Sequence, residues 1–335
     1  VADVHNGLVK GLVACLGADN VRAVNYDDRL DFFAAAEIRR NGIRKLAFDR
    51  ETAIRVACRT IAQDLYEFWP DVLIVVSGFF ITPFLWAVLG RRPHHTVAWF
   101  TESPYEDDRQ LQVARYVDTA ILNDPTNIQT FRATNPRTYY FPHSYDPDVH
   151  APGPAVPPLA CDFGWVGTAF PSRIEFFRQV DWAGVDAKFA GNWQALDRRS
   201  RLARFLVNPK SECMNNTETV DLYRSCKLSA NIYRKETSDE GTHRGWAAGP
   251  REIELAACGT FMLREARPEG DELFPDAPIF SEPGEFSELL HWWLAHDDLR
   301  QKTAQANREA IADRTFTNTA ARLLELIDGA PKRIY

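Results

Sequence analysis

The sequence has no Cys-x-x-Cys pair: Cys15, Cys58, Cys161, Cys213, Cys226 and Cys258 are scattered, mostly within apolar runs. This spacing argues against a disulfide framework, and the thiols read as small buried hydrophobes in a reducing compartment. There is no Walker A sequence and no Gly-x-Gly-x-x-Gly, so a P-loop kinase or an ordinary dinucleotide dehydrogenase has no support. The N-terminus lacks a basic n-region followed by a small-residue cleavage site, which makes a cytoplasmic location the default. Charge of one sign is not in large excess either. With 39 Lys and Arg against 46 Asp and Glu, the net charge of −7 speaks against coating nucleic acid or anionic membrane, while handling of a single nucleotide stays open. The longest uncharged run, Val72 to Gly90, covers 19 residues, in principle enough to cross ~30 Å of hydrocarbon. Ser77-Gly78 and Pro83 divide it into a β-branched strand (Val72–Val76), a turn and a short helix around Phe84–Leu89, so no membrane span is expected.

What is present fits a two-domain globular chain. Its 335 residues correspond to two domains of the usual ~100–200 residues, and the 45% hydrophobic content, with nine Trp and 21 Phe, supplies a core for each. Leu8, Leu12 and Leu16 recur at helical spacing and predict a helix over 4–16. Strands are predicted at Val21–Tyr26, Val72–Val76, Thr96–Phe100, Thr119–Leu122 and Thr138–Phe141, with a helix over 50–68 and helical segments between the later strands. Five prolines within the twelve residues Pro147–Pro158 read as a stiff linker. A second alternating series follows, with strands at Phe163–Val166, Ala187–Ala190, Leu228–Tyr233, Thr260–Leu263 and Ile279–Phe280. Its helices are predicted from about Ser172, over Pro250–Cys258, and at 284–296, 297–312 and 317–327. Short apolar strands alternating with helices predict an α/β fold with two parallel, Rossmann-like βαβ domains and a ligand cleft at the carboxyl ends of their strands. The expected division is 1–150, 151–313, and a C-terminal helix (314–335) crossing back to the first domain.

The segment from Gly249 to Phe261 carries the strongest local signal. Pro250 suits the first turn of a helix and Gly259 its end. Glu254 on that helix can accept hydrogen bonds from two vicinal ribose hydroxyls, while Arg251 and the helix start favour a diphosphate. On residues alone, a surface helix with i,i+3 charge pairing is an equal reading.

Arg-x-x-Glu-x-x-Ala-Cys-Gly-Thr-Phe, the Asn231-Ile232 strand end before it and Glu272-Leu273-Phe274-Pro275 after it resemble the donor domain of GT-B glycosyltransferases, closest to the CgeB-like, spore-maturation-type branch. Phe280 with the acidic stretch Glu282–Glu288, the Ala295–Arg300 segment, and Arg314-Thr315-Phe316 with Arg322 extend the resemblance over about 160–327. It implies that a hexosyltransferase-type enzyme moves a sugar from a nucleotide diphosphate sugar to an acceptor hydroxyl, with no cofactor and no obligatory metal. It further implies that Glu254 binds the ribose, that Arg251, Gly167, Thr168 and Arg173 meet the diphosphate, and that the nucleotide sits on the second domain. Many retaining members carry another glutamate eight positions before the ribose-binding one. Here that position is Trp246, so His243 or Arg244 is expected to meet the sugar or phosphate instead.

The acceptor side is expected on the first domain. Glu102, directly after the Thr96–Phe100 strand, is the first candidate base and His5 the second. Asp3, Asn6 and His143 are expected to line the same cleft. Asp146-Pro147-Asp148 reads as turn chemistry rather than a metal site, and the adjacent His94 and His95 point to opposite faces of a strand. The acceptor class (protein, envelope glycan, small molecule or modified DNA base) and the oligomeric state are left open. A nucleotide-sugar epimerase of the same fold, or a non-catalytic sugar- or nucleotide-binding protein, are the alternative functions. The chain opens at Val1 directly into a helical pattern, from which a strand and turn ahead of it, beside Asp3 and His5, are expected.

Overall fold

The computed structural model describes residues 2–44, 49–89, 95–236 and 245–328. The chain divides into two compact units, 1–141 with 319–335, and 142–318.

In the first unit, α1 (Ala2–Leu16), α2 (Tyr26–Arg44) and α3 (Arg50–Phe68) precede the sheet. Asp49 caps α3 by accepting the Thr52 N–H at 3.1 Å, and Trp69, at φ 51°, ends it by donating its N–H to the Leu65 carbonyl. The sheet then alternates with short helices: β1 (Val72–Val76), α4 (Pro83–Leu89), β2 (His95–Phe100), α5 (Asp107–Ala114), β3 (Thr119–Leu122), α6 (Ile128–Thr134) and β4 (Thr138–Tyr140). The four strands are parallel in chain order, with Val76 opposite Trp99 and Phe100 opposite Leu122. Parallel strands need both faces covered, and Ala98, Phe100, Ala120, Leu122, Trp86 and Phe131 form that core. The uncharged run divides as expected into β1, a turn and α4; among the described residues no helix is long and apolar enough to cross a membrane.

One predicted strand does not form. Residues 21–25 belong to no strand, and Tyr26 already starts α2. Asn25 Oδ1 accepts the Asp27 N–H at 3.1 Å, the Tyr26 hydroxyl donates to the Phe80 carbonyl at 2.9 Å, and Asp27 and Asp28 occupy the first helical turn. The β-type sequence is there, but it has no described neighbour with which to build a ladder.

The second unit holds β5 (Cys161–Val166), α7 (Pro171–Gln179), β6 (Ala187–Ala190), α8 (Asn216–Ser225), β7 (Cys226–Asn231), α9 (Pro250–Cys258) and β8 (Phe261–Arg264). Then follow α10 (Pro268–Leu273), α11 (Pro283–Leu294) and α12 (Asp297–Ala310). Its parallel sheet runs β6-β5-β7-β8, so the order reverses at β5. Ile279 adds a single bridge to Arg264 rather than a full strand. One face of the sheet is covered by interlocked aromatic rings, Phe163, Trp165, Phe177, Phe189 and Trp193 among them, with Phe189 stacked on Trp193 at 4.9 Å.

The proline-rich stretch is not a free linker. Arg224 on α8 donates to the carbonyls of Ala151 (2.6 Å) and Val149 (3.0 Å), and the Val156 N–H reaches Ser225 Oγ at 2.8 Å. These bonds strap it to the second unit, whose boundary falls earlier, after Phe141. The last helix, α13 (Phe316–Asp328), lies within the first unit from residue 319 onward. There the Arg322 guanidinium stands 4.3 Å from the centre of the Phe141 ring.

Candidate functional site

In an open parallel sheet the natural ligand position is at the carboxyl ends of the strands where the order reverses, because helices on opposite faces leave a crevice there. In the second unit that point lies between β5, ending at Val166, and β7, ending at Asn231. Arg251, in the first turn of α9, spans it: Nε donates to the Val166 carbonyl at 3.0 Å and Nη1 to Asn231 Oδ1 at 2.9 Å. Its guanidinium also lies 4.9 Å from the centre of the Trp165 ring. Gly167 makes room beside it: a Cβ there would come within 2.4 Å of Arg251 Nη2 and 3.0 Å of the Trp165 ring, so a larger residue would displace the guanidinium. Gly191, after β6, has φ +96°, and a Cβ on it would meet the Gly167 carbonyl oxygen at 2.6 Å. Two glycines therefore let three backbone segments converge on the arginine.

Arg173 on α7 is buried and donates through Nε (3.0 Å) and Nη2 (2.7 Å) to the Ile232 carbonyl and through Nη1 to the Thr168 carbonyl at 2.9 Å. It thus acts on the turn through the backbone, tying Thr168 to the end of β7. The charge of Arg173 also opposes the rise that burial imposes on the Glu265 pKa. Arg251 stands at the carboxyl ends of the strands, where a guanidinium offers donors that suit an anion.

Glu254 is half-buried three residues beyond Arg251, the spacing that puts both on one face of α9. Burial raises the Tyr223 hydroxyl well above its ordinary pKa and Glu254's charge adds to it. Burial likewise pushes Cys258 up to about 12 with Glu254 contributing.

Sequence reasoning missed Glu252, Asn231, Tyr233 and Gly191 as members of this site. Glu252 is fully buried, and its Oε2 accepts from the Gly249 N–H (2.6 Å), Asn231 Nδ2 (3.0 Å) and the Tyr233 hydroxyl. Burial raises its pKa; Tyr233, the Gly249 N–H, Arg264 and Arg267 oppose the rise. Asn231 holds Arg251 with one end of its amide and Glu252 with the other, coupling the helix start to the strand end. A readable signal existed: a glutamate three residues after the Gly249 cap position marks a capping carboxylate, and an asparagine at the carboxyl end of a strand marks a polar strand end.

In the first unit, His5, Asn6 and Glu102 line one cavity of about 1200 Å³, together with Glu106 and Arg109. Glu102 follows β2, and its backbone N–H is held by the buried Gln110 side chain at 3.1 Å. The Arg109 guanidinium lies 4.1 Å from the Phe79 ring centre, and His5 Nδ1 is 3.2 Å from Asn6 Oδ1. Asp3 sits in the first turn of α1. His143 falls in the second unit and does not line this cavity. His243 and Arg244 lie outside the described residues, as does His94.

Two parallel, Rossmann-like units of this kind make the GT-B fold. Solved structures agree on it: sucrose-phosphate synthase from Thermosynechococcus elongatus (TM-score 0.60, 9% identity, covering 84% of this chain and 79% of that one); HepE from Anabaena, in complex with UDP and glucose (0.57, 13%, 81% and 81%); and the E. coli trehalose-6-phosphate synthase bound with UDP-2-fluoro glucose (0.59, 10%, 86% and 80%). More particularly, residues 173–325 match the family model described as glycosyl transferase-like, so this part of the chain is a glycosyltransferase domain. No curated protein matches the sequence.

Proposed function

We propose that the protein transfers a sugar from a nucleoside diphosphate sugar to an acceptor hydroxyl, with the donor on the second unit. The observation that carries this reading is Arg251, fixed by Val166 and Asn231 against Gly167 at the switch point. As the glycosidic bond breaks, charge grows on the leaving phosphate oxygen. A guanidinium already held in place stabilises that charge without reorganising. In this reading the positive side chains take the part that a metal plays elsewhere, and no metal is obligatory. Glu254 accepts two hydrogen bonds from the ribose, Arg173 keeps the Thr168 turn in shape, and Glu102 removes the acceptor proton with His5 as second base. The relatives of known structure that hold UDP or a UDP-sugar favour such a donor. The Ala-Cys-Gly-Thr-Phe segment favours the CgeB-like branch. The six cysteines, none of them in a disulfide, suit a cytoplasmic location.

Calorimetry with UDP and GDP tests the reading. Glu254→Ala should weaken binding of the preferred diphosphate by about 1.5–3 kcal/mol, the range for hydrogen bonds to a charged group, with an unchanged circular dichroism spectrum. Turnover should survive EDTA. Equal affinity of variant and parent for every diphosphate sinks the donor assignment.

A further inference from the structure

A helix packed on a domain normally buries its apolar stripe and turns its polar face to water. α2 departs from that rule. Its buried residues Glu37 and Asn41 are polar, joined by a 2.7 Å hydrogen bond from Asn41 Nδ2 to Glu37 Oε1, whereas Phe32, Ile38 and Ile43 are 68%, 57% and 79% exposed. Single exposed apolar residues are ordinary. Here, however, Phe32 and Ile43 share a stripe: Asp28, Phe32, Ala35, Ala36, Arg39 and Ile43 are all exposed, and at 3.6 residues per turn they fall within about 100° of helix surface. From Asp28 through Phe32 and Ala35 to Arg39 the steps are four, three and four residues, the spacing of a seam along which one helix packs lengthwise on another. The exposed charges are also segregated. Asp27, Asp28 and Asp31 stand at the start of α2 and Arg39 and Arg40 toward its end, while Arg29 is taken by Asp64 of α3.

We propose that this stripe is the contact face of a homodimer, in which α2 of one copy lies antiparallel on α2 of a second copy. A two-fold axis passing between Phe32 and Ala35 sets Asp28 against Arg39 of the second copy and Phe32 against its Ala35. Symmetry makes each contact twice. The large ring meets a small side chain, the acidic end of each helix meets the basic end of the other, and the opposed helix dipoles add to the attraction. An anionic membrane would suit Arg39 and Arg40 but repel the three aspartates; a second copy satisfies both ends. Asp28 also lines the cavity that contains His5 and Glu102, so Arg39 of the second copy arrives at the rim of that cavity. One helix pair is a small interface, and the dimer should dissociate at micromolar concentrations.

Sedimentation velocity of the whole chain between about 1 and about 200 µM, at low salt so that surface charges are little screened, tests the proposal. The parent should pass from monomer to dimer over that range. Asp28→Arg and Arg39→Asp each turn two attractive contacts into repulsive ones and should weaken association by about tenfold. Phe32→Asp should weaken it by about tenfold or more. Combining Asp28→Arg with Arg39→Asp restores opposite charges at both symmetric contacts, and association should return to within about threefold of the parent. All four positions of change are on the exposed stripe, so circular dichroism should be unchanged throughout. A parent that stays monomeric at every concentration overturns the proposal. So does a dimer that survives Phe32→Asp or either charge reversal, or a double variant no stronger than the single ones. Flotation of a monomeric parent with phosphatidylglycerol vesicles would make a lipid surface the occupant and overturns it as well.

Discussion

The two sheets share a parallel architecture but differ where each one begins. In the second unit, β5 is the first strand of the series and lies inside its sheet, flanked by β6 and β7; β5 is buried except at Asp162, and the reversal of order creates the point that Arg251 spans. In the first unit, β1 is the first strand of the series and lies at an edge, half-buried, facing a cavity. The more apolar of the two, β1, is the margin of its sheet, while β5, which carries Asp162 and Gly164, is the centre of the other. Neighbours, rather than composition, decide how much stability and how much chemistry a strand can support.

The comparison can be broken most sharply at the chemical step. If the first unit supplies the base and the second holds the nucleotide, as proposed, Glu102→Gln should lower kcat by about 10²–10⁴-fold, while calorimetry finds donor affinity unchanged. Equal losses in turnover and donor affinity would erase the division of labour. Next in size is stability. Leu228→Ala in β7, where the side chain is fully buried, should cost about 2–5 kcal/mol in urea unfolding. Leu73→Ala in half-buried β1 should cost about 1–2 kcal/mol, having less apolar area to lose. Equal costs would mean that β1 is as enclosed as β7.

The smaller effect concerns the buried acid network of the second unit. Burial raises the pKa of Glu252 above its ordinary value of 4.5, so the folded state holds its proton at pH values where the unfolded state has released it. Stability attributable to this group is therefore greatest below that ordinary value and declines as pH rises through the folded pKa. Glu252→Gln should remove this dependence. In thermal melts from pH 4 to 7, the variant should gain on the parent as pH increases, and a constant difference would show that Glu252 does not change its protonation.

Much of this was readable in advance, and for definite reasons. Each of β1 to β8 was foreseen within about two residues, because short apolar runs between turn residues leave few alternatives; so was α9, bracketed by Pro250 and Gly259. Residues 21–25 misled because strand formation depends on a partner that no local pattern reports. The proline-rich stretch misled because its stiffness is visible in sequence, whereas the Arg224 side chain that fastens it lies some seventy residues away. In the candidate site, Arg251 and Glu254 were expected together from their three-residue spacing, and the structure puts both on α9. Asn231 and Tyr233 were not, since their role arises only when β7 and the start of α9 meet around Glu252.

Trp165 gives the donor site an optical voice. Its indole is wholly buried in the aromatic core and yet lies against the Arg251 guanidinium. A cation near an excited indole shifts and quenches its emission, and a diphosphate whose negative charge offsets that of the fixed guanidinium alters both. Nucleotide binding should therefore be visible in the unlabelled protein as a change in tryptophan fluorescence, and Trp165→Phe should silence the greater part of it.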